Sequence, residues 1–294
     1  MKPIRKAVIP AAGMGTRGLP FSKEVPKELV PIVDTPALHL IVDEAIRAGI
    51  EQIVLVTSKG KQALEDYFDP SPALEAFLRS RGKHEQADRV HRIGHQVEVI
   101  SVRQKEPLGL GHAVLCARHV VGDEPFAVCL GDEIFPTPNS PRGLKFLCDT
   151  TTRDGISTIG VLPVPEQETN QYGIIDTRGA KLTEAAVRVA GTVEKPKPEN
   201  APSPYAIIGR YAFGPEILDA LKEVRPGSGG EIQLTDGMDA LARAGRLQAA
   251  LFDSNRYDVG NHLYYVLAQV DEALRRPELS DRLRPLLKKR LETL

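Results

Sequence analysis

The chain has 294 residues, and its 41% hydrophobic and 26% charged residues are typical of a globular protein rather than a disordered one. The 38 basic and 39 acidic side chains leave a net charge of −1, so we expect no nucleic-acid partner. Because apolar runs stay below the roughly 18 residues of a membrane span, we also expect no membrane partner. Three cysteines, an odd number without zinc-site spacing, favour a reducing cytoplasm over a disulfide framework.

Short apolar runs alternate with helical patterns along the first half of the chain. The predicted strands lie at 7–10, 52–57, 97–102 and 126–130. The predicted helices lie at 36–48 and 111–118, with a charged helical insertion over the sheet at 71–93. Nearly all-apolar strands spaced by helices are typical of parallel sheets that are covered on both faces, so this half predicts an α/β fold.

The second half mixes strands with helices. Its predicted strands lie at 156–164 and 205–213, with hairpin-like pieces around Gly173 and Gly179. Its predicted helices lie at 215–223, 232–244 and 262–275. No internal repeat and no linker interrupts this pattern, so we expect one continuous domain.

Leucines recur at helical spacing in the last predicted segment, from Leu279 to Leu294, opposite a basic face. Amphipathic helices usually bury their apolar stripe against protein. We therefore expect this helix to pack on its own domain or to contact a second copy of the chain. A role at a membrane surface is the least favoured of the three alternatives.

A glycine-rich loop follows the first predicted strand. Its sequence from Gly13 to Gly18 matches the G-x-G-x-x-G pattern of dinucleotide sites. However, Pro20 and Pro26 would interrupt the helix that such a site needs. Asp34 has the spacing of the ribose-binding acid but lies in a predicted turn. A dehydrogenase is therefore disfavoured.

The same loop is suited to phosphate in another way. Glycines let backbone N–H groups converge on phosphate oxygens, and Arg17, Lys23 and Lys27 add positive charge nearby. Ligand sites of α/β proteins usually lie at such strand ends. No G-K-[ST] follows at P-loop spacing, so a P-loop is excluded.

An ordered series of motifs resembles the sugar-1-phosphate nucleotidylyltransferase family. It begins with 10–17, 19–20 and 24–28, and continues with Gln104, 107–113, 131–132, 171–173, 194–196, 209–211, 231–236 and 257–261. One such motif is weak, but an ordered series over residues 3–265 is specific. The series most resembles the bacterial members that use UTP and glucose 1-phosphate.

The resemblance implies a Rossmann-like, mainly parallel mixed sheet flanked by helices, with a smaller sugar-binding β region and C-terminal helices. Within a single domain over 1–294, it implies a nucleotide-binding half at 1–150, a sugar-phosphate-binding half at 151–265 and a C-terminal helical segment at 266–294. The implied reaction is Mg²⁺-assisted transfer of UMP from UTP to glucose 1-phosphate, which gives UDP-glucose and pyrophosphate. We expect a homodimer or a homotetramer.

The resemblance also implies roles on the nucleotide side. The nucleotide would be bound by Ala11, Ala12, Gly13, Gly15, Thr16, Glu28, Gln104 and Gly109. Gln104 would match part of the uracil edge, and Glu28 would accept a hydrogen bond from the ring N–H. Gly109 and Gly111 would leave room for base and ribose. Arg17 and Lys27 would neutralise the triphosphate and the departing pyrophosphate.

On the sugar side, Lys195 would bind the phosphate of the sugar phosphate, and Glu194 would accept hydrogen bonds from sugar hydroxyls. Gly173 would let the backbone approach the sugar closely. Asp132 and Asp258 would be the Mg²⁺ carboxylates.

Two other functions stay open. Thymine presents the same hydrogen-bonding edge as uracil, so a transferase that uses dTTP or another sugar phosphate is an alternative. A catalytically silent nucleotide-sugar-binding protein would have lost the cationic and acidic positions, and this chain keeps them.

The histidines carry little of the predicted chemistry. His112 lies on an apolar helical pattern and is expected to be structural. His91 and His95 have the spacing of a zinc pair, but Gly94 and the absence of H-E-x-x-H disfavour zinc.

Overall fold

A mixed β-sheet is the centre of the computed structural model, which describes residues 1–136, 140–183, 185–227 and 230–293. The strands in this part are β1 (Lys6–Pro10), β2 (Pro31–Ile32), β3 (Thr35–Pro36), β4 (Gln52–Thr57), β5 (Glu98–Arg103), β6 (Phe126–Cys129), β7 (Glu133–Ile134), β8 (Ser157–Pro163), β9 (Gly173–Asp176), β10 (Val187–Arg188), β11 (Gly191–Glu194), β12 (Tyr205–Phe213), β13 (Leu247–Leu251) and β14 (Tyr257–Asp258).

The helices in the same part are α1 (Ala37–Arg47), α2 (Gln62–Asp66), α3 (Pro72–Ser80), α4 (His84–Ile93), α5 (Leu110–Cys116), α6 (Arg118–Val121), α7 (Leu144–Asp154), α8 (Glu216–Glu223), α9 (Leu234–Arg243), α10 (His262–Arg275) and α11 (Pro277–Leu291).

The sheet order is β10-β13-β8-β12-β6-β1-β4-β5. Strands β6, β1, β4 and β5 are parallel neighbours, whereas β12 runs antiparallel to both β6 and β8. Strands β9 and β11 branch from β12 as a small antiparallel ribbon. The predicted α/β fold with a mixed central sheet is confirmed.

Helices cover both faces of the sheet because its strands alternate their apolar side chains between two cores. In β1, Ala7 and Ile9 belong to the core beneath α1 and α7, while Val8 belongs to the core beneath α5, α8 and α9. Covering both faces leaves the sheet edge at the strand ends as the open place for a ligand.

The charged segment at 71–93 differs from the predicted insertion over the sheet. It forms two helices, α3 and α4, because Gly82 takes a left-handed backbone conformation between them. The two helices pack mainly on each other, and Ala87 is the buried side chain of this described pair.

The C-terminal helix α11 packs against α10, as one of the sequence alternatives predicts. Leu279, Leu283 and Leu287 are half-buried, but Leu286 and Leu291 are 63% and 75% exposed. None of the described helices is long and apolar enough to cross a membrane.

Candidate active site

The carboxyl ends of β1, β4, β5 and β6 bring four loops to one edge of the sheet. The glycine-rich loop follows β1, Gln104 follows β5, and Asp132 follows β6. Open α/β sheets bind ligands outside the carboxyl ends of their strands, at the point where the strand order reverses.

The glycine-rich loop starts as an extension of β1, since the N–H of Ala11 donates to the carbonyl of Val56 at 2.8 Å. Gly15 then takes φ +69°, a left-handed conformation that favours glycine. Its carbonyl oxygen accepts a hydrogen bond from Ser22 Oγ at 2.7 Å. Short 3₁₀ turns follow instead of a helix, as the prolines predict. The loop therefore lacks the helix N-terminus of a dinucleotide site.

A buried ion pair that the sequence analysis missed supports this loop. Lys61 Nζ donates to both carboxylate oxygens of Glu28 at 2.9 Å and to the carbonyl of Ala11 at 2.5 Å. Burial raises the pKa of Glu28, with Lys61 and Lys27 opposing, and burial lowers the pKa of Lys61, with Glu28 opposing. Glu28 therefore has a protein partner of its own.

A cavity of about 360 Å³, which we call the loop cavity, opens beside this pair. Its lining includes Ala12, Gly13, Met14, Lys27, Glu28, Gln104, Gly109, Leu110, Leu130, Asp132, Glu231 and Gln233. A Cβ on Gly13 would meet no atom within 4 Å, so its backbone lies open there. Of the other predicted loop residues, Ala11, Gly15 and Thr16 shape the loop without lining this cavity.

Gly109 and Gly111 have a packing reason to be glycines, besides the predicted room for a ligand. A Cβ on either would lie 2.8 Å from the carbonyl oxygen of Ile232, and Gly109 has φ +97°. The N–H of Gly111 donates to that same carbonyl at 2.8 Å. Close passage of the segment around Ile232 is therefore enough to require glycine at both positions. Room for base and ribose stays a prediction, and Gly109 does line the loop cavity.

Two cations and two carboxylates meet at the edge of the loop cavity. Lys27 Nζ lies 2.5 Å from Asp132 Oδ2, and Arg17 lies 3.3 Å from Asp132 and 2.7 Å from Asp258. Burial raises the pKa of Asp132, but Lys27 and Arg17 outweigh it and hold this pKa below its usual value. These four residues come from positions up to 241 residues apart in sequence.

A second cavity of about 550 Å³, the Glu194 cavity, lies on the other side of Asp132. Gly173, Glu194 and Lys195 all line it, with Arg17, Tyr172, Thr235 and Asp258. Thr235 Oγ1 donates to Glu194 Oε2 at 2.5 Å, and Lys195 Nζ lies 3.4 Å from Glu194 Oε1. Lys195 has φ +45° at the end of β11, where its N–H donates to the carbonyl of Tyr172.

A second buried ion pair, also missed, forms the wall of this cavity. Arg256 Nε donates to Glu133 Oε2 at 2.8 Å, and its guanidinium lies 4.9 Å from the ring centre of Tyr172. The same Glu133 oxygen accepts from the N–H of Gly209 at 3.0 Å. Neither partner has a local signal in sequence, because 123 residues separate them.

The two cavities share Asp132, Leu110, Leu130 and Gln233 in their linings. Cationic side chains therefore lie on both sides of the Asp132 carboxylate, with Lys27 in the loop cavity and Lys195 in the Glu194 cavity. An anion in each cavity would approach the other at Asp132.

The histidines flagged for zinc lie elsewhere. His91 of α4 and His95, just after the end of that helix, stack on each other with ring centres 4.1 Å apart, and His91 contacts Glu75. In the part of the chain that the structure describes, no group of three or more metal-binding side chains occurs.

The model of the nucleotidyl transferase family matches residues 6–273, more than half of the chain. The chain belongs to this family. The resemblance predicted from the ordered motifs is thereby confirmed at the level of the family.

Its relatives narrow the comparison. The chain is 48% identical to UTP–glucose-1-phosphate uridylyltransferase of Bacillus subtilis (strain 168), over 98% of this chain and 97% of the relative. It is 45% identical to the protein of the same name from Staphylococcus epidermidis, over 98% and 99% of the two chains. Both relatives bear the name of the subgroup predicted from the motifs.

Solved structures agree with these relatives. A UDP-glucose pyrophosphorylase from Acinetobacter baumannii matches with a TM-score of 0.88 and 38% identity, over 97% of this chain and 99% of that one. A UDP-glucose pyrophosphorylase complexed with UDP-glucose matches with a TM-score of 0.82 and 39% identity, over 93% and 100%.

Proposed function

We propose that this chain transfers UMP from UTP to glucose 1-phosphate, giving UDP-glucose and pyrophosphate. The observation that carries the proposal is the meeting of two cavities at one cationic and acidic cluster. Full-length similarity to uridylyltransferases at 45–48% identity supports the choice of substrates. UTP would occupy the loop cavity, and glucose 1-phosphate would occupy the Glu194 cavity.

The reaction needs little acid–base chemistry. An oxygen of the sugar phosphate forms a bond to the α-phosphorus of UTP, while the bond from that phosphorus to the bridging oxygen breaks and pyrophosphate leaves. The attacking oxygen is already ionised near neutral pH, since the second pKa of a phosphate is about 6. The barrier is the approach of two polyanions, so positioning and charge neutralisation should dominate catalysis.

The positions of the cations support this proposal. Lys27 is protonated, because Asp132 outweighs the burial that would otherwise lower its pKa. Lys27 lines the loop cavity, and Arg17 lines the Glu194 cavity but reaches Asp132, where the two cavities meet. From these positions both would compensate the charge of the triphosphate and of the leaving pyrophosphate. Lys195 would bind the phosphate of the sugar phosphate. Glu194, whose carboxylate is oriented by the hydrogen bond from Thr235, would accept hydrogen bonds from sugar hydroxyls.

Asp132 and Asp258 fit a Mg²⁺ that arrives with the nucleotide. Both carboxylates contact the same guanidinium of Arg17, so they face one space. Mg²⁺ is usually bound through one or two carboxylates together with substrate phosphates, so these two residues would hold it without further protein ligands. When bound, the metal supplies positive charge to the phosphate oxygens.

The test is release of pyrophosphate from UTP and glucose 1-phosphate, with a parallel reaction that contains dTTP. We expect turnover with UTP in the presence of Mg²⁺ and loss of turnover when the metal is chelated. Asp132→Asn should reduce kcat strongly, whereas Asp253→Asn, in an exposed loop before Asp258, should not.

Two results would contradict the proposal. Equal turnover with UTP and dTTP would contradict the assignment of UTP as the preferred nucleotide. Absence of turnover with every nucleotide and sugar phosphate tried, together with tight binding of UDP-glucose, would favour the silent binding protein.

A further inference from the structure

The side-chain amide of Gln104 has only one orientation that satisfies its neighbours. Its nitrogen Nε2 lies 3.1 Å from the carbonyl oxygen of Gly109 and 2.9 Å from Nδ1 of His112. A carbonyl oxygen only accepts hydrogen bonds, so the amide atom that faces Gly109 must be the NH₂ group. The backbone N–H of Gln104 donates to the carbonyl of Thr57 at 2.8 Å, which fixes the start of the side chain.

This orientation determines the tautomer of His112. The NH₂ group has two hydrogens, and one of them goes to Gly109. The other hydrogen points to Nδ1 of His112, so Nδ1 must be the unprotonated ring nitrogen and must accept this hydrogen bond. The ring proton then lies on Nε2, and Cys116 Sγ is 3.9 Å from that nitrogen.

The remaining amide atom is Oε1, and this atom is available to a ligand. Gln104 lines the loop cavity and is 7% exposed. Within the residues that the structure describes, no donor lies within hydrogen-bonding distance of Oε1. The amide therefore presents an acceptor and no free donor to whatever enters the loop cavity.

We propose that His112 is a positioning residue for base selection: together with the carbonyl of Gly109, its Nδ1 holds the Gln104 amide so that Oε1 faces the loop cavity and accepts a hydrogen bond there. This inference rests on the proposed function. The ring N3–H of uracil is a donor that matches Oε1. This replaces Glu28 as the acceptor expected from the sequence, because both oxygens of Glu28 accept from Lys61. N3 of cytosine, in contrast, is an acceptor that would face Oε1 with a second lone pair. Thymine shares the N3–H donor, so this device does not separate UTP from dTTP.

The placement of His112 explains why this contact is local in the fold. Gly109 immediately precedes α5, and His112 lies in the first turn of that helix. The carbonyl of Gly109 and the ring of His112 thus flank the amide from adjacent positions of one element. A positioning role agrees with the prediction that His112 is structural rather than catalytic, and it specifies that the ring contacts Gln104 of the loop cavity.

The test compares His112→Phe with His112→Asn in the full-length protein. Phenylalanine keeps the ring but removes the acceptor, so the amide keeps only its hydrogen bond to Gly109 and is held less firmly in the orientation that presents Oε1 to the ligand. Asparagine can place Oδ1 where Nδ1 lies and can accept again. His119→Phe, on the exposed side of α6, is the matched control.

The measured quantity is the ratio of the CTP inhibition constant to the KM for UTP. One hydrogen bond contributes enough for a change of about three- to tenfold, so His112→Phe should lower this ratio by that factor. His112→Asn should restore the ratio toward that of the wild type, and His119→Phe should leave it unaltered. A purely structural role would instead lower kcat or thermal stability at a constant ratio, and that result would overturn the proposal.

A second measurement addresses the tautomer without any activity. Long-range ¹H–¹⁵N correlation spectra of the histidine-labelled protein should give a pyridine-like shift for Nδ1 of His112, assigned by its absence in His112→Asn. A pyrrole-like Nδ1 would overturn the inference even if UTP is the substrate. Failure of the wild type to use UTP would instead contradict the proposed function, so the two failures are distinguishable.

Discussion

Lysine side chains around the cleft differ in burial and in partner. Lys61 is 10% exposed and bound to Glu28, Lys27 is 17% exposed and bound to Asp132, and Lys195 is 59% exposed beside Glu194. A buried charge needs a protein partner to compensate its lost hydration, whereas an exposed charge is available to a ligand. Lys61 thus supports the loop, and Lys195 is the lysine that we propose binds the sugar phosphate.

Lys195→Ala should raise the KM for glucose 1-phosphate and lower kcat while UTP affinity stays nearly constant. The reason is that Lys195 lines the Glu194 cavity and not the loop cavity. Initial-rate kinetics and UTP binding would measure the effects separately, with Lys197→Ala as an exposed control two positions away. Collapse of UTP affinity would contradict the division of the site between the two cavities.

Lys61→Met should destabilise the fold, because it leaves the carboxylate of Glu28 buried without its partner. Breaking a buried pair typically costs about 3–5 kcal/mol of unfolding free energy. Urea unfolding would measure this loss, and Lys59→Met, which is exposed, should change little. Adding Glu28→Gln to Lys61→Met should recover part of the loss; an equally unstable double variant would argue against an unpaired charge as the cause.

At the scale of elements, the short hairpin of β2 and β3 connects helices that are distant in sequence. Its turn residue Asp34 pairs with Arg89 of α4 at 3.1 Å and with Arg276 between α10 and α11 at 2.8 Å. Slight burial acts to raise the pKa of Asp34, but hydrogen bonds from Arg89, Thr35 and Arg276 outweigh it and hold this pKa below its usual value. The predicted turn at Asp34 is confirmed, and its role is to join elements.

Asp34→Asn should destabilise the protein near neutral pH and progressively less in acid. A lowered pKa in the folded state contributes stability that is fully present above the unfolded pKa of about 4 and is lost progressively as the pH falls from there through the folded pKa. The difference in thermal midpoint between wild type and variant should therefore be constant near neutral pH and become smaller toward pH 3. Asp281→Asn, exposed on α11, serves as control, and a gap that stays constant with pH would exclude the ion pairs as its source.

At the scale of the whole molecule, one sheet carries both cavities. Strand β12 pairs with β6 on the side of the loop cavity and with β8 on the other side, so the two cavities cannot move apart without breaking the ladder. The fully buried Arg210 of β12 also binds Glu44 of α1 and the backbone of Glu133. We propose that the halves at 1–150 and 151–265 act as one rigid frame for the two substrates.

The homodimer or homotetramer expected from the sequence stays a prediction, and the last two helices offer a surface that tests it. Leu263, Val266 and Leu267 of α10 and Leu286 and Leu291 of α11 are between 41% and 75% exposed. Burying such side chains against a second copy would remove apolar area from water. Light scattering should give a multiple of the monomer mass, and Leu286→Glu with Leu291→Glu should reduce it; a monomeric wild type would contradict the prediction.

Local sequence signals determined the elements and the family. The helix predicted at 262–275 is confirmed at both ends. At its N-terminus, the Asn261 side chain accepts hydrogen bonds from the N–H groups of Leu263 and Tyr264. Prolines after the glycine-rich loop correctly predicted turns in place of a helix. Periodicity, caps and breakers act within a few residues, so a single sequence reports them.

Tertiary structure alone decided which side chains share a partner. Lys61 with Glu28, Arg256 with Glu133, and Gly109 against Ile232 carry no pattern that a sequence displays. Each pair is brought together by strand order and by loops that meet at one sheet edge. The sequence by itself determined which charges and glycines are available; the packing of distant segments determined which of them are buried, paired or left free to meet a substrate.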